Sequence, residues 1–365
     1  MSWYQITNIA EVDSPALVIY KERVEKNIDT LIASINDIKR LRPHIKTHKS
    51  AEVTSMMVAR GITKFKCATI AEAEMLSSAG ATDILLAYQP VGPKVNRLRR
   101  LVKTFPSIRF SCLIDNIDAA RSISEIFMQD GIAIDYFVDL NVGMNRTGIP
   151  PEDAVDLIEK ASILDGIRLA GLHVYDGHLR DADFAERKQK CDAAFKPVET
   201  LFKKIRGTGT LTIVAGGTPT YSIHALRSDV ECSPGTFIYW DKGYEQLLQE
   251  QHYLHAALVV TRVISIPGNN FICIDLGHKS IASENPLTQR VFFIDHPSLV
   301  PVGHSEEHMV LKTEGARTYR VGDVLYGIPY HVCPTIALYE RANVVQNNEV
   351  IDTWATQARN KKINV

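Results

Sequence analysis

Two lysines and two histidines fall within six residues in His44-Ile45-Lys46-Thr47-His48-Lys49. The cluster follows a short apolar run and precedes a stretch of helical pattern. A lysine at a strand end can attack an aldehyde and hold it as an imine, which is how proteins retain aldehyde cofactors. Taken alone, the cluster reads equally well as a basic solvated loop. Three later segments change that reading. Asp139-Leu140-Asn141-Val142-Gly143-Met144-Asn145-Arg146-Thr147-Gly148 puts an arginine just beyond a strand end and a glycine, where a fixed guanidinium suits an anionic oxygen such as a phenolate. His173 and Tyr175 are two apart in an extended run and share one face. Gly216-Gly217-Thr218-Pro219-Thr220 has the small residues and hydroxyls that let backbone N–H groups close on a phosphate. On its own that segment would be a plain turn.

A second chemical signal lies near the end of the chain. His331 and Cys333 stand two apart in Ile328-Pro329-Tyr330-His331-Val332-Cys333-Pro334. In extended backbone both side chains face the same way, which favours chelation. Imidazole plus thiolate prefers zinc to magnesium or calcium. Two ligands are too few for a structural zinc, but water and a substrate oxygen can complete a catalytic one. The ordinary alternative is a buried cysteine beside a satisfied histidine.

These residues need elements to position them. Short apolar runs at Pro15–Tyr20, Leu41–Thr47, Lys64–Thr69, Asp83–Tyr88, Arg109–Ile114, Asp135–Leu140, Leu169–Tyr175 and Leu211–Ala215 alternate with stretches of helical period, such as Lys21–Ile35 and Lys94–Thr104. Eight strand-helix units imply a parallel sheet, closed as a (β/α)8 barrel, with its chemistry at the C-terminal strand ends. From about residue 246 the pattern changes to β-branched runs separated by Pro-Gly, Asn-Asn and Gly-Asp, as in an antiparallel β domain. The expected organisation is a barrel over residues 14–245 and a β domain over 246–365, with residues 1–13 adding to the latter.

Composition sets broad limits. The chain has 365 residues, 45% apolar and 23% charged, with a formal net charge of −1. That balance gives no support for a nucleic-acid or membrane surface as partner. The N-terminal residues lack the regions of a signal peptide, no apolar run reaches a membrane span, and the six cysteines are scattered. A cytoplasmic protein with reduced thiols is the expectation.

The segments R-P-H-x-K-T-H-K, G-M-N-R-T-G, G-G-T-P-T, S-E-E-H and P-x-H-x-C together resemble the D-threonine aldolase and D-serine dehydratase family, which has the alanine-racemase-like fold of pyridoxal 5′-phosphate enzymes. The resemblance runs in order along nearly the whole chain. It implies that Lys46 is the imine-forming lysine; the residues alone do not separate Lys46 from Lys49. It implies a cofactor site that includes Lys46, His44, Arg146, His173, Tyr175, Gly216, Gly217 and Thr218, and a divalent metal on His331 and Cys333. Zinc is the first candidate, with manganese or magnesium behind it. A homodimer whose two chains line each site is also implied. The expected activity is a lyase acting on small D-β-hydroxy-α-amino acids. In this family H-x-D tends to accompany aldol cleavage and H-x-C dehydration, so Cys333 leans the reading slightly to dehydration. Retro-aldol cleavage to glycine and an aldehyde, amino-acid racemisation, and non-catalytic cofactor binding are the alternatives.

Overall fold

Apolar runs bounded by turn residues and helical pattern become strands along the whole chain. The computed structural model describes residues 1–208 and 210–365. In chain order the first strands are β1 (Ala16–Tyr20), β2 (Lys64–Cys67), β3 (Asp83–Leu86), β4 (Arg109–Ile114), β5 (Ile134–Leu140), β6 (Ile167–Val174), β7 (Thr212–Ala215) and β8 (Val230–Cys232). They are followed by β9 (Ala257–Gly268), β10 (Phe271–Ile274), β11 (Val291–Phe293), β12 (Val300–His304), β13 (Met309–Lys312), β14 (Val324–Pro329), β15 (Arg341–Gln346) and β16 (Glu349–Ala355). Two compact units result. One comprises Ile32–Lys46, Ala51–Gly235 and Asn360–Val365; the other comprises Met1–Leu31, Thr47–Ser50 and Thr236–Arg359.

In the first unit β2 to β8 form a parallel sheet in chain order. Leu41 bridges in parallel to Cys232, and His44 to Lys66. The segment 41–44 therefore fills the place between β8 and β2 and closes the sheet as an eight-position barrel. Helices such as Ile70–Ser78, Pro93–Thr104 and Ile117–Met128 make the crossovers that parallel strands require. The inner face is set by register. Lys66 pairs with Leu85, Leu113 with Phe137, and Asp139 with His173, so alternate positions of β2 to β6 share one side. Leu85, Leu113, Phe137, Ala170 and Val214 form an apolar cluster in this unit.

Three details of the strand assignment differ from the sequence reading. The run at Pro15–Tyr20 is not a barrel strand: β1 pairs antiparallel with β9 and parallel with β15. All five of its residues are buried, and a strand buried on both faces reads alike in either kind of sheet. The last barrel strand is β8, three residues long and too short to leave a pattern. The run Leu41–Thr47 is a pair of bridges followed by a 3-10 turn over Ile45–Thr47 rather than a regular strand.

The second unit holds a mostly antiparallel sheet in the order β12-β13-β10-β9-β1-β15-β16, with β14 also on β9 and β11 on β14. Val259, Ile274, Phe293, Met309 and Leu311 belong to one of its cores. Tyr4 and Ile6 pack with Val18, Tyr20, Leu258 and Val260 in another, without forming a strand of their own. No helix among the described residues is long and apolar enough to cross a membrane.

Candidate active site

The barrel unit gathers its polar side chains where β2, β5, β6 and β7 end. A bulge in β6 sets the aim of two of them. The register between β5 and β6 shifts after Tyr136, and Gly171 takes a φ of +154° there. A Cβ at Gly171 would lie 1.8 Å from the Thr212 carbonyl oxygen, so only glycine fits. Beyond the bulge, His173 points inward and is 3% exposed. Its Nδ1 lies 2.7 Å from Oδ1 of Asp139. Asp139 also accepts from Gln89 and from the Thr147 hydroxyl, each at 2.8 Å. Burial alone would raise the Asp139 carboxyl, but these donors, His173 first, hold it below the ordinary value.

Tyr175 follows β6, and three cations surround its ring. The Arg146 guanidinium carbon lies 4.8 Å from the ring centroid, Lys66 Nζ 5.7 Å and Lys46 Nζ 5.9 Å. Arg146 reaches this point from a loop folded on Asn141, whose side-chain oxygen accepts the N–H groups of Gly143 and Asn145. Gly148 returns that loop through its N–H to Asp115. On the other side, the Lys46 N–H donates to Nδ1 of His44 at 3.2 Å, which fixes the half-buried His44 ring. Arg42, behind them, is buried between Asp83 at 2.6 Å and Glu231 at 2.7 Å and anchors the segment leading to Lys46. A cleft of about 580 Å³ opens here, lined by His44, Lys46, Tyr88, Gln89, Asp115 and Arg146. Its size suits a small organic ligand.

Gly216-Gly217-Thr218 forms the turn after β7. Gly216 has φ +74° and sends its N–H to the Val174 carbonyl. A Cβ on Gly217 would sit 3.0 Å from the Tyr175 ring, so the glycine lets the ring and the turn approach each other. The Thr218 hydroxyl accepts from the Gly235 N–H at 3.1 Å. Ser233 Oγ is buried and has no hydrogen-bond partner among the described residues. The amine, the guanidinium, the glycine turn and the orphaned hydroxyl are the groups a phosphate-bearing pyridine aldehyde needs.

Sequence reasoning missed Lys66, Gln89 and Asp176. Lys66 had a signal: Lys64 and Lys66 alternate with Phe65 and Cys67, which marks one polar face inside a barrel strand. Asp176 sits beneath the glycine turn, accepting from Thr220 at 2.6 Å and meeting His224 Nε2 at 2.8 Å, with Cys191 Sγ 3.5 Å away. The three groups resemble a metal-ligand set. A contact of 2.8 Å between carboxylate and imidazole is a direct hydrogen bond, however, and burial pushes the Cys191 thiol up to about 12, which keeps its proton on. We read the cluster as a support for the turn.

In the second unit, His331 and Cys333 meet, with His331 in extended backbone and Cys333 in a helix. His331 caps the helix Val332–Leu338, and Cys333 lies in its first turn. The two side chains are hydrogen-bonded to each other. The His331 imidazole is held on its far side by Glu284, with Nδ1 to Oε1 at 2.5 Å. Burial works against charge on His331, but Cys333 foremost, then Glu284 and Asp241, raises it to about 9. Cys333 Sγ also meets the hydroxyls of Thr47 at 3.1 Å and Thr236 at 3.7 Å. Thr47 is the residue after Lys46. A neighbouring nitrogen and sulfur with a carboxylate behind the imidazole suit a zinc-type ion. The Ser305-Glu306-Glu307-His308 motif is a turn, with both glutamates paired to Lys279. His48 is buried, accepts from the Ser50 N–H, and is pushed down to about 3 by burial, so it is neutral and structural.

A lysine-bearing barrel followed by an antiparallel β domain is the architecture of alanine-racemase-like proteins. The family model for the alanine racemase N-terminal domain matches residues 19–242, and that for a putative serine dehydratase domain matches residues 256–345. The chain belongs to the alanine-racemase-like family, in the branch of D-threonine aldolases and D-serine dehydratases. It is 29% identical to a D-threonine aldolase from Arthrobacter over 96% of this chain and 94% of that protein. It is 23% identical to a D-threo-3-hydroxyaspartate dehydratase from Delftia, over 94% of this chain and 97% of the other. The crystal structure of a D-threonine aldolase from Filomicrobium marinum superimposes with a TM-score of 0.87 at 28% identity, covering 96% of both chains.

Proposed function

We propose that this protein is a pyridoxal-phosphate-dependent, metal-assisted lyase of D-β-hydroxy-α-amino acids. The observation that carries the reading is the convergence of Lys46, Arg146 and Lys66 on the Tyr175 ring beside the Gly216–Thr218 turn. Three cations and a glycine turn form a site for a ligand with a phosphate and a phenolate, and two of the cations, Lys46 and Lys66, are primary amines. In this reading Lys46 would hold the aldehyde, Arg146 the phenolate and the Gly216–Thr218 turn the phosphate, with Tyr175 beside Lys46 and Arg146.

The bound cofactor supplies an electron sink for charge developing at the substrate Cα. With the cofactor and an amino-acid substrate in the site, Lys46 Nζ would be the group placed to accept the Cα proton. Asp139 fixes His173 by a hydrogen bond to Nδ1, which keeps the floor of the site rigid. Arg146 holds negative charge away from the reacting carbon. His331 and Cys333 would hold a divalent ion, whose chemistry is to make a hydroxyl a stronger acid or a better leaving group. Glu284 orients the imidazole for that task by occupying its other nitrogen. If Lys46 takes the Cα proton and the hydroxyl leaves, water is lost, and hydrolysis of the resulting enamine gives a keto acid and ammonia. If the hydroxyl loses its proton, the Cα–Cβ bond breaks and the products are glycine and an aldehyde. Cys333 favours the first outcome, and the likeness to the Arthrobacter aldolase favours the second. The resemblance also carries a homodimer whose chains share each site, which sedimentation tests.

The deciding experiment incubates the protein with pyridoxal phosphate and zinc or manganese and offers D-serine, D-threonine and D-3-hydroxyaspartate. Keto acid plus ammonia supports dehydration, and glycine plus aldehyde supports aldol cleavage. Neither product from any substrate would sink the lyase reading. Conversion to the L-enantiomers would replace it with racemisation.

A further inference from the structure

Lys66 has no assigned role in the family reading. It is 2% exposed, on the inner face of β2. Its strand neighbour on that face, Lys64, is paired with Glu231. Lys66 has no carboxylate partner among the described residues. Its Nζ lies 3.3 Å from His173 Nε2 and 3.5 Å from the carbonyl oxygen of Gly216. Asp139 draws the His173 proton to Nδ1, which leaves Nε2 as an acceptor. An ammonium has three N–H groups, and these two contacts use two of them. The third has no protein acceptor among the described residues. It sits under the glycine turn, beside the ring that Lys46 and Arg146 also approach.

A buried cation with an unused donor is expensive unless an anion completes it. The charged groups acting on Lys66 do not complete it. Asp139 and Asp176 favour its charge, Lys46 and Arg42 oppose it, and both aspartates are engaged with histidines. Burial, with Lys46 next, pushes the ammonium down to about 7. The missing element is an anion at the turn.

We propose that Lys66 contacts the bound cofactor and, with Lys46 and Arg146, carries the positive charge that neutralises its phosphate and phenolate. The inference rests on the reading of the residues around Tyr175 as a pyridoxal-phosphate site. It makes Lys66 a cofactor-contacting residue, with His173 and Asp139 as the positioning pair behind it. Two consequences follow. Cofactor binding draws a proton onto Lys66 near and above neutral pH, because the new anion stabilises the ammonium. The Lys66 amine, reactive in the cofactor-free protein, becomes protected when the cofactor is bound.

The test uses the full chain, freed of cofactor and titrated with pyridoxal phosphate. Wild type, Lys66→Met, Lys66→Arg and Lys46→Ala are compared for affinity and for proton uptake in weakly buffered solution. Lys66→Met is expected to weaken binding by about tenfold or more, the scale of one charge-assisted hydrogen bond, and to lose the uptake. Lys66→Arg keeps most of the affinity, and Lys46→Ala retains the uptake while losing borohydride fixation. Trace acetylation of the wild-type protein, with and without cofactor, reads protection of Lys66 directly and needs no variant to fold. Wild-type affinity and uptake in Lys66→Met, or equal acetylation of Lys66 in both states, would overturn the proposal. If wild type itself neither binds the cofactor nor is fixed by borohydride, the site reading fails first, and with it the basis for Lys66.

Discussion

His173 Nδ1 lies 2.7 Å from Asp139 Oδ1, with both side chains almost wholly buried in the barrel. The pair spans β5 and β6 and presents the other imidazole nitrogen to Lys66. That arrangement couples cofactor binding to the protonation of a buried amine and gives the cofactor-free protein a distinctive pH response.

Between about pH 7 and the ordinary lysine value of 10.5, the unfolded chain keeps a proton on Lys66 that the folded chain has released. The unfolded state binds more protons in that window, so stability rises with pH across it. The slope should be present in cofactor-free wild type and missing from Lys66→Met, which should be the more stable of the two at pH 7. Thermal melting of both proteins at matched pH values checks this. Parallel curves would mean that Lys66 is charged in the folded protein throughout.

Gly171→Ala should be among the most damaging small substitutions in the barrel. The added Cβ would meet the Thr212 carbonyl at 1.8 Å, and the φ of +154° is unsuited to alanine. Loss of more than about 3 kcal/mol of stability is expected in urea unfolding, together with loss of cofactor binding. Unfolding like that of wild type would show that β6 can shed its bulge.

Arg146→Ala should weaken pyridoxal phosphate binding and change the pH dependence of the bound cofactor's absorbance, since the guanidinium stands 4.8 Å from the ring centroid of Tyr175. Tyr175→Phe keeps the ring and should be milder than Tyr175→Ala. An Arg146→Ala protein with unaltered spectra and affinity would make the residue an ordinary surface cation.

Chelation should abolish lyase turnover without releasing pyridoxal phosphate, because separate residues hold the two groups. Cys333→Asp should weaken zinc relative to manganese. Glu284→Gln should lower zinc affinity by about tenfold, within the usual range for a carboxylate behind a ligating imidazole. Direct metal titration with elemental analysis reads each case. A fully active, metal-free enzyme would return His331 and Cys333 to ordinary packing.

The barrel was legible because alternating strands and helices leave a strong period, and β2 to β7 fall where the apolar runs lie. β1 was misplaced because burial on both faces erases the alternation that separates sheet types. The helix after His331 begins inside a run that reads as extended. At the site, Lys46, Arg146, His173, Tyr175 and the glycine turn share a neighbourhood that strand-end placement suggested. Lys66 and Glu284 did not stand out. Lys66 sits inside a strand rather than at its end, and Glu284 reaches His331 across 47 residues of chain.

If Lys46 holds pyridoxal phosphate in the barrel, reduction must fix the cofactor there. Borohydride reduction of the loaded protein, followed by peptide mapping, tests it most directly. One pyridoxyl group per chain, on Lys46, is expected. A label on Lys49 or Lys66, or no label at all, would contradict it.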